Sequence, residues 1–383
     1  MVKFCLKGSL TIFLVLDLGW ILVLSAKPAK AAESKSAWQQ EWQQTVELAK
    51  KEGQLNVYFW GSTALLDEGI FQAAFPEIKV TGVTARGPQL LQRILSERRG
   101  DKYLADVYID GLGNIYPAYS AKILDPIKPM LILPAVVDAT KWWQGKHYYT
   151  DSENKYIFRF QSTALKGMIS HNTNLVNPKN FKSFWDFLQP QWKGKIEVRD
   201  IREAGPGSAG IRFFHHNSEL GPNFIRRLIG EMDVTLYRDG RLATDWLASG
   251  KFGLCFFCND TDAAKRQGLP VDSFRDVLKE GAGLYQQAGS ITLVNKAPHP
   301  NAAKVFINWF LSPEGQYTFQ KVSFKSQSSA PDSLRIDIPK DHVLPDDRRE
   351  EGVKYMDMDT PERIDMKPVV EVFSEALSKA GKK

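Results

Sequence analysis

From residue 36 onward the apolar positions fall at helical and then at strand spacing, and the two patterns keep alternating. In SAWQQEWQQTVELAKKE (36–52), Trp38, Trp42, Val46 and Ala49 form one apolar stripe, and Gly53 supplies a stop, which predicts a helix. QLNVYFW (54–60) predicts a strand, after which Ser62 or Thr63 caps a helix reaching Ala74. IKVTGVTA (78–85) reads as a strand and GPQLLQRILSERRG (87–100) as a helix with Leu90, Leu91, Ile94 and Leu95 inward. LADVYID (104–110) is the next strand. Several of these strands are apolar on both faces, as in parallel βαβ units with helices on each side of the sheet.

Residues 111–160 are less regular, with Pro117, Pro126, Pro129 and Pro134 and the polar, aromatic stretch KWWQGKHYYTDSENKY (141–156). Alternation resumes at LKGMISHN (165–172), FKSFWDFL (181–188) and GKIEVRD (194–200), and a long helix follows GPGSAG (205–210). It continues through TDWLAS (244–249), FGLCFF (252–257), GSITLV (289–294) and NAAKVFINWFL (301–311). Residues 336–383 are charged and Pro-containing, a strap ending in a helix over 367–380. The chain shows no internal repeat.

The first 31 residues follow a different rule. Lys3 and Lys7 precede an apolar run from Leu10 to Leu24, and Ala29-Lys30-Ala31 follows. This is the order of a secretory signal peptide cleaved after Ala31. The competing reading is a retained anchor, but the run is short for a span and carries Asp17, which costs roughly 2.5–3.5 kcal/mol at a helix centre. Removing Lys3, Lys7, Lys27, Lys30 and Asp17 lowers the formal charge from +6 to +3. No basic block remains of the kind that nucleic acid requires.

Of the cysteines, Cys5 leaves with the signal, and Cys255 and Cys258 remain in GLCFFCND (253–260). If LCFFC is extended, Cα atoms three apart are separated by roughly 10 Å, so the pair closes into a disulfide only if the chain turns within it. A thioredoxin-type site needs a helix start at the first cysteine, and structural zinc needs a second ligand pair; neither is present. The expectation is a buried strand carrying two small thiols, with a local disulfide left open.

Catalytic constellations are sparse. No G-x-S-x-G, Walker loop or H-E-x-x-H occurs, and GLGN (111–114) and GPGSAG complete no nucleotide fingerprint. His215 and His216 are adjacent on a helix and take surface or packing roles. His147, Tyr148, Tyr149 and Asp151 hold hard ligands for a ferric ion but lie in a polar loop. Asp346-Asp347 and Asp357/Asp359 fall in the charged tail and read as solvated. The strand ends are richer. Trp60-Gly61-Ser62-Thr63, Ala85-Arg86-Gly87, Asp110-Gly111-Leu112, Gly205 to Gly210, Asn259-Asp260-Thr261 and Gly289-Ser290 carry small residues, hydroxyls and single polar groups. In open α/β sheets such ends form small-molecule clefts, although each alone is an ordinary helix cap.

GSITLVNKAPHPNAAKVFINWFLSPEGQ (289–316) closely resembles a stretch of bacterial extracellular solute-binding proteins of ABC importers. Their branch includes ferric-ion, thiamine, polyamine and aminoethylphosphonate binders. PQLLQRILSERRGDKYLADVYIDG (88–111), ISHNTNLV (169–176) and QPQWKGKIEVRD (189–200) are similar to family segments too, and the likeness covers most of residues 38–330. It implies a two-lobed α/β fold of the type II periplasmic kind, each lobe a mainly parallel sheet flanked by helices, with a hinge between lobes. The first lobe would comprise 32–165 plus 285–335, the second 166–284, and the strap 336–383.

The same resemblance implies a periplasmic monomer without catalysis or cofactor. It would capture a small solute and deliver it to an inner-membrane ABC permease. Trp60, Ser62, Thr63, Arg86, Asp110, Gly207, Ser208, Asn259, Asp260 and Ser290 are the expected ligand-binding residues. In ferric binders of this family adjacent tyrosines follow the equivalent second-lobe strand. Here Phe257-Cys258-Asn259-Asp260 stands there, which argues against phenolate-held iron. Cap N–H groups at Ser62/Thr63 and Gly207/Ser208, with Arg86 and Arg202, favour an anionic organic solute. Asp110, Glu203 and Asp260, with Trp60, equally suit a cation such as thiamine or a polyamine. Ferric ion is the alternative within transport, and a secreted hydrolase or redox enzyme the alternative outside it.

Overall fold

Strands alternating with helices build two α/β lobes, and the segments passing between the lobes form a third, small sheet. The computed structural model describes residues 36–60, 64–85, 88–202, 207–327 and 330–382. Seven strands make the first lobe: β1 (Gln54–Phe59), β2 (Lys79–Val83), β3 (Val107–Asp110), β4 (Leu124–Asp125), β5 (Tyr148–Tyr149), β6 (Phe158–Arg159) and the late β14 (Ser290–Val294). Their order is β2-β1-β3-β14-β6-β5, with β4 beside β14. The second lobe orders β8 (Ile169–Asn172), β9 (Ile196–Arg199), β10 (Thr235–Tyr237), β11 (Leu254–Phe256) and β12 (Val271–Ser273) as β10-β9-β11-β8-β12. Between them β7 (Thr163–Leu165), β13 (Ala282–Tyr285) and β15 (Tyr355–Asp357) form the connecting sheet.

Neither lobe sheet is mainly parallel; both are mixed. β1 pairs in parallel with β2 and β3, and β9 with β10 and β11. β14 runs antiparallel to β3, and β8 antiparallel to β11. The cause is topological. The chain leaves the first lobe through β7 into β8 and returns through β13 into β14. Each lobe therefore receives a strand fed from the connecting sheet, which runs against those the lobe builds from its own βα units.

Several local expectations shift. The helix expected to run to Ala74 breaks into Ala64–Asp67 and Ile70–Ala74, because Gly69 between them sits at φ 67°. FKSFWDFL is a short 3₁₀ helix, Phe184–Leu188, started by a reciprocal Ser183/Asp186 cap. The long helix after GPGSAG is two, Ser208–His216 and Gly221–Glu231.

The cores explain why these elements stay put. Helix Pro300–Leu311 is buried from Ala302 to Leu311 except at Lys304, as a helix apolar on most of its faces must be. Its first turn is fixed by Glu52, whose carboxylate accepts from the Ala302 N–H at 2.7 Å and the Asn301 side chain at 2.6 Å. The Pro-His-Pro turn before it is pinned by buried Asp106, which accepts from the His299 N–H at 2.8 Å. In the second lobe Phe184, Phe187, Phe213, Phe214, Phe224 and Phe256 form an aromatic centre. The C-terminal segment belongs to the fold: β15 extends the connecting sheet, and helix Lys367–Lys379 sinks Val369, Phe373, Ala376 and Leu377 into that second core.

Candidate functional site

The second lobe's wall begins where β11 ends. Phe257 adopts φ 70°, unusual for a bulky residue, so the chain turns within LCFFC. That turn brings the Cys255 and Cys258 Cα atoms to 5.9 Å, and the pair forms a disulfide rather than two strand thiols. The strand expectation fails at Phe257 because nothing in a Phe-Phe dipeptide signals a left-handed backbone. The Phe257 ring lies over the start of helix Ser208–His216. A Cβ on Gly207 would meet Phe257 Cβ at 2.8 Å, and one on Gly210 would meet Phe257 Cε1 at 2.5 Å. Gly207 (φ 89°) precedes the helix, and Gly207, Ser208, Ala209 and Gly210 line the cleft beside Asn259.

One turn further, Arg212 is buried (6 % exposed). Its Nη1 donates to the carbonyls of Met358 (2.9 Å) and Arg363 (2.8 Å), and its Nε to Ser208 O (3.3 Å). Among the described residues Nη2 has no partner, and the guanidinium borders the cleft. Burial lowers its pKa, while Asp359 and Tyr285 favour the charge.

Trp60, at the end of β1, and Asp110, at the end of β3, face from the first lobe. Asp110 is 1 % exposed and accepts from Tyr108 Oη (2.7 Å), Gly111 N (2.6 Å) and Asn114 Nδ2 (3.0 Å). Burial raises its pKa against these three donors. Tyr285, from β13, borders both halves of the cleft. Asp359, just beyond β15, is 3 % exposed and accepts from Gln286 N at 2.6 Å. Burial pushes its carboxyl up to about 6, against the pull of Arg159 and Arg212. The two halves measure about 290 and 520 Å³ and share Trp60, Ser208 and Tyr285.

Of the sequence-predicted residues, Trp60, Asp110, Gly207, Ser208 and Asn259 border this cleft. Asp260 borders a separate hollow with Arg241 and Gln267. Ser290 is fully buried and donates to Gln286 Oε1 at 2.7 Å. Ser62, Thr63, Arg86 and Glu203 lie outside the described residues. Arg202 is held by Asp200 at 2.8 Å, which with Arg238 drops the Asp200 carboxyl to about 2.

One expectation about the tail is corrected, and the aromatic loop gains a structural account. Asp359 is no solvated tail residue, because the strap folds it under the cleft beside Arg212. The loop around Tyr148 is structural: Asp151 accepts from the N–H groups of Glu153, Lys155, Tyr156 and Ile157 at 2.9–3.1 Å. His215 and His216 contact each other, ring centroids 4.8 Å apart, in a half-buried position. Sequence reasoning missed Arg212, Tyr285 and Asp359. The signal available for Tyr285 was its place at the return crossing.

No protein-family model matches the chain. An uncharacterized protein of Haemophilus influenzae is 25 % identical over 216 residues, 54 % of this chain and 55 % of that protein. The match thus spans about half the length of that relative. Solved structures match more fully. The FutA protein of Trichodesmium in complex with iron and citrate superposes with a TM-score of 0.59 at 19 % identity, over 86 % of this chain and 100 % of its own. A ferric binding protein of Bordetella gives 0.60 at 16 %, over 84 % and 98 %. The AfuA periplasmic binding protein of Actinobacillus pleuropneumoniae, with fructose-6-phosphate bound, gives 0.56 at 17 %, over 86 % and 99 %. This is the type II periplasmic-binding-protein fold. In such a fold the cleft between lobes is the place where two rigid bodies can close on one molecule. The type II cleft of this chain is built from both lobes, the connecting sheet and the strap. Among the described residues no helix is long and apolar enough to cross a membrane.

Proposed function

We propose that the chain is the substrate-binding component of an ABC importer, exported after cleavage behind Ala31 and acting as a monomer. It captures a small anionic organic solute between lobes 32–165 plus 285–335 and 166–284, and hands it to an inner-membrane permease. The observation that carries this reading is the donor set of the second-lobe wall. The start of helix Ser208–His216 and the Arg212 guanidinium, with Nη2 unengaged among the described residues, border the same cleft as Trp60 and Asp110. Donors of this kind suit a carboxylate, phosphate or phosphonate. Among the described residues no serine or threonine hydroxyl of this cleft is hydrogen-bonded to a histidine, which supports binding without hydrolysis. Closure by population shift follows when a solute touches both walls at once.

A second reading rests on Tyr285, Asp110 and Asp359, three oxygen-bearing side chains around one cleft, which would suit a ferric ion with a synergistic anion. A thermal-shift screen of residues 32–383 separates the two. A solute at about 100 times its dissociation constant should add roughly 2.7 kcal/mol. A saturable shift with small carboxylates or phosphonates supports the anion reading. A shift with ferric citrate alone selects iron, and one with thiamine or polyamines alone selects a cation.

A further inference from the structure

We propose that Cys255, Cys258 and Glu197 form a thiol–disulfide exchange site in the wall of the cleft, taking a dithiol as its redox partner. Register, proximity and an unpartnered buried carboxyl meet there. Glu197 on β9 stands directly opposite Cys255 on β11, so both side chains share one face of the sheet. A Glu197 carboxylate oxygen and the two sulfurs all lie within 4.8 Å of one another. Glu197 is fully buried, and neither of its oxygens has a hydrogen-bond partner, an arrangement that costs stability and that packing alone does not require.

The sulfurs differ in access. Cys255 is fully buried, whereas Cys258 borders the larger half of the cleft beside Asn259 and Gly207. Between them Phe257 holds a left-handed backbone, the kind of local strain that gathers at reactive turns. Helix Thr261–Arg266 begins after both cysteines, and the start of helix Ser208–His216 shares the cleft lining with Cys258 but not with the buried Cys255. At Cys255 the carboxyl takes the place of a helix start.

A thiolate of the dithiol attacks Cys258 Sγ. A bond forms between them, the Cys255–Cys258 bond breaks, and the electron pair leaves on Cys255 Sγ. The Glu197 carboxylic acid gives that sulfur its proton and regains one from solvent. The dithiol's second thiolate then attacks its own sulfur in the mixed disulfide, closing the partner's disulfide and releasing Cys258, which takes a proton in the cleft. Two electrons pass from the dithiol to the protein, and the two protons the partner loses match the two the cysteines gain.

Burial pushes the Glu197 carboxyl up to about 8, so it holds its proton at neutral pH. Lys251 pulls the other way. Tyr237 on β10 faces the same group, is itself influenced by Arg199 and Asp260, and donates to Phe256 O at 3.1 Å.

The test uses the oxidised mature chain, dithiothreitol as the probe, and alkylation followed by mass measurement, all without denaturant. Two alkyl groups should appear, at a rate that, per thiolate of reductant, falls as pH rises through about 8. Glu197→Gln should slow the reaction at pH 7 about tenfold or more and flatten that profile, and Glu197→Asp should restore the inflection. A disulfide that resists reduction until unfolding, or a Gln variant with unchanged rate and profile, overturns the proposal. A second measurement does not depend on folding of the Gln variant. Cys258 in Cys255→Ser should label at least tenfold faster in the native protein than Cys255 in Cys258→Ser. Equal labelling, or none at either position, also overturns it. The solute plays no part in these measurements, so their outcome leaves the transport reading untouched.

Discussion

Arg212 is a cation set among Ile211, Phe213 and Phe214, all fully buried, and it stays charged because the strap offers it two carbonyls. Nη1 reaches both while Nε holds Ser208 O and Nη2 is left for the cleft; a single ammonium nitrogen cannot occupy all three places. Arg212→Lys should therefore cost about 1–3 kcal/mol in urea unfolding and raise the dissociation constant of any anionic solute found by the screen. Arg226→Lys, at a half-exposed pair with Glu375 (3.6 Å), should stay within about 0.5 kcal/mol. An Arg212→Lys variant with unchanged stability and affinity would remove the residue from the site. Little of this was legible in the sequence. Strand ends announce themselves by glycines and hydroxyls, as Asp110-Gly111 and Gly207-Ser208 do. Arg212 and Asp359 gain their roles from each other across 147 positions of chain, and no local pattern encodes that meeting.

The LSPEGQ end of the family-like segment shows what a short motif does for an element. Ser312 accepts from the Gly315 N–H at 3.2 Å and so starts helix Pro313–Gln327 directly after helix Pro300–Leu311. The two helices meet so closely that a Cβ on Gly315 would sit 2.1 Å from Trp309 O and 2.7 Å from Phe310 Cα. Both obstacles are backbone in a buried helix, so neither can swing aside. Gly315→Ala should destabilise by about 1–3 kcal/mol, read as a lower urea midpoint at unchanged slope. A neutral substitution would mean that the corner yields. Elements of this sort were readable because their periodicity is local: helix Ala37–Glu52, β1 and helix Pro300–Leu311 fall within a residue or so of expectation. Apart from the 3₁₀ helix Phe184–Leu188, these failures were changes of backbone direction. Gly69 splits a helix, and Phe257 ends a strand and closes a disulfide. The parallel expectation failed likewise, since β8 and β14 take their direction from the connecting sheet rather than from their own residues.

At the scale of the whole molecule the strap ties the parts together at Asp359. Its carboxylate accepts from Gln286 in the crossing back to the first lobe and stands 4.0 Å from Arg159 of β6, while Arg212 of the second lobe shares its field. Burial outweighs these partners and holds the carboxyl at about 6, above the 3.8 of a free aspartate. The native state thus keeps a proton that the unfolded chain has lost. The stability contributed by the protonated group is complete below about pH 4 and is lost as pH rises through about 6. A rise of about two pH units corresponds to roughly 3 kcal/mol as an upper bound, reduced by whatever Arg159 and Arg212 return to the anion. Another group works against this in the same window. Burial, then His215, Arg363 and Arg212, lower His216 to about 4, so its contribution is present above about 6.5 and lost as pH falls. The total pH curve of the protein can therefore be flat while both effects are large. The difference between Asp359→Asn and the parent isolates one of them. Asn cannot ionise, so the variant's stability relative to the parent should climb by about 1–3 kcal/mol between pH 4 and pH 7, measured as urea midpoints across that range. A level difference would mean that Arg159 and Arg212 already hold Asp359 as an anion at pH 4. The junction of lobes and strap would then be a closed ion cluster rather than a protonated one.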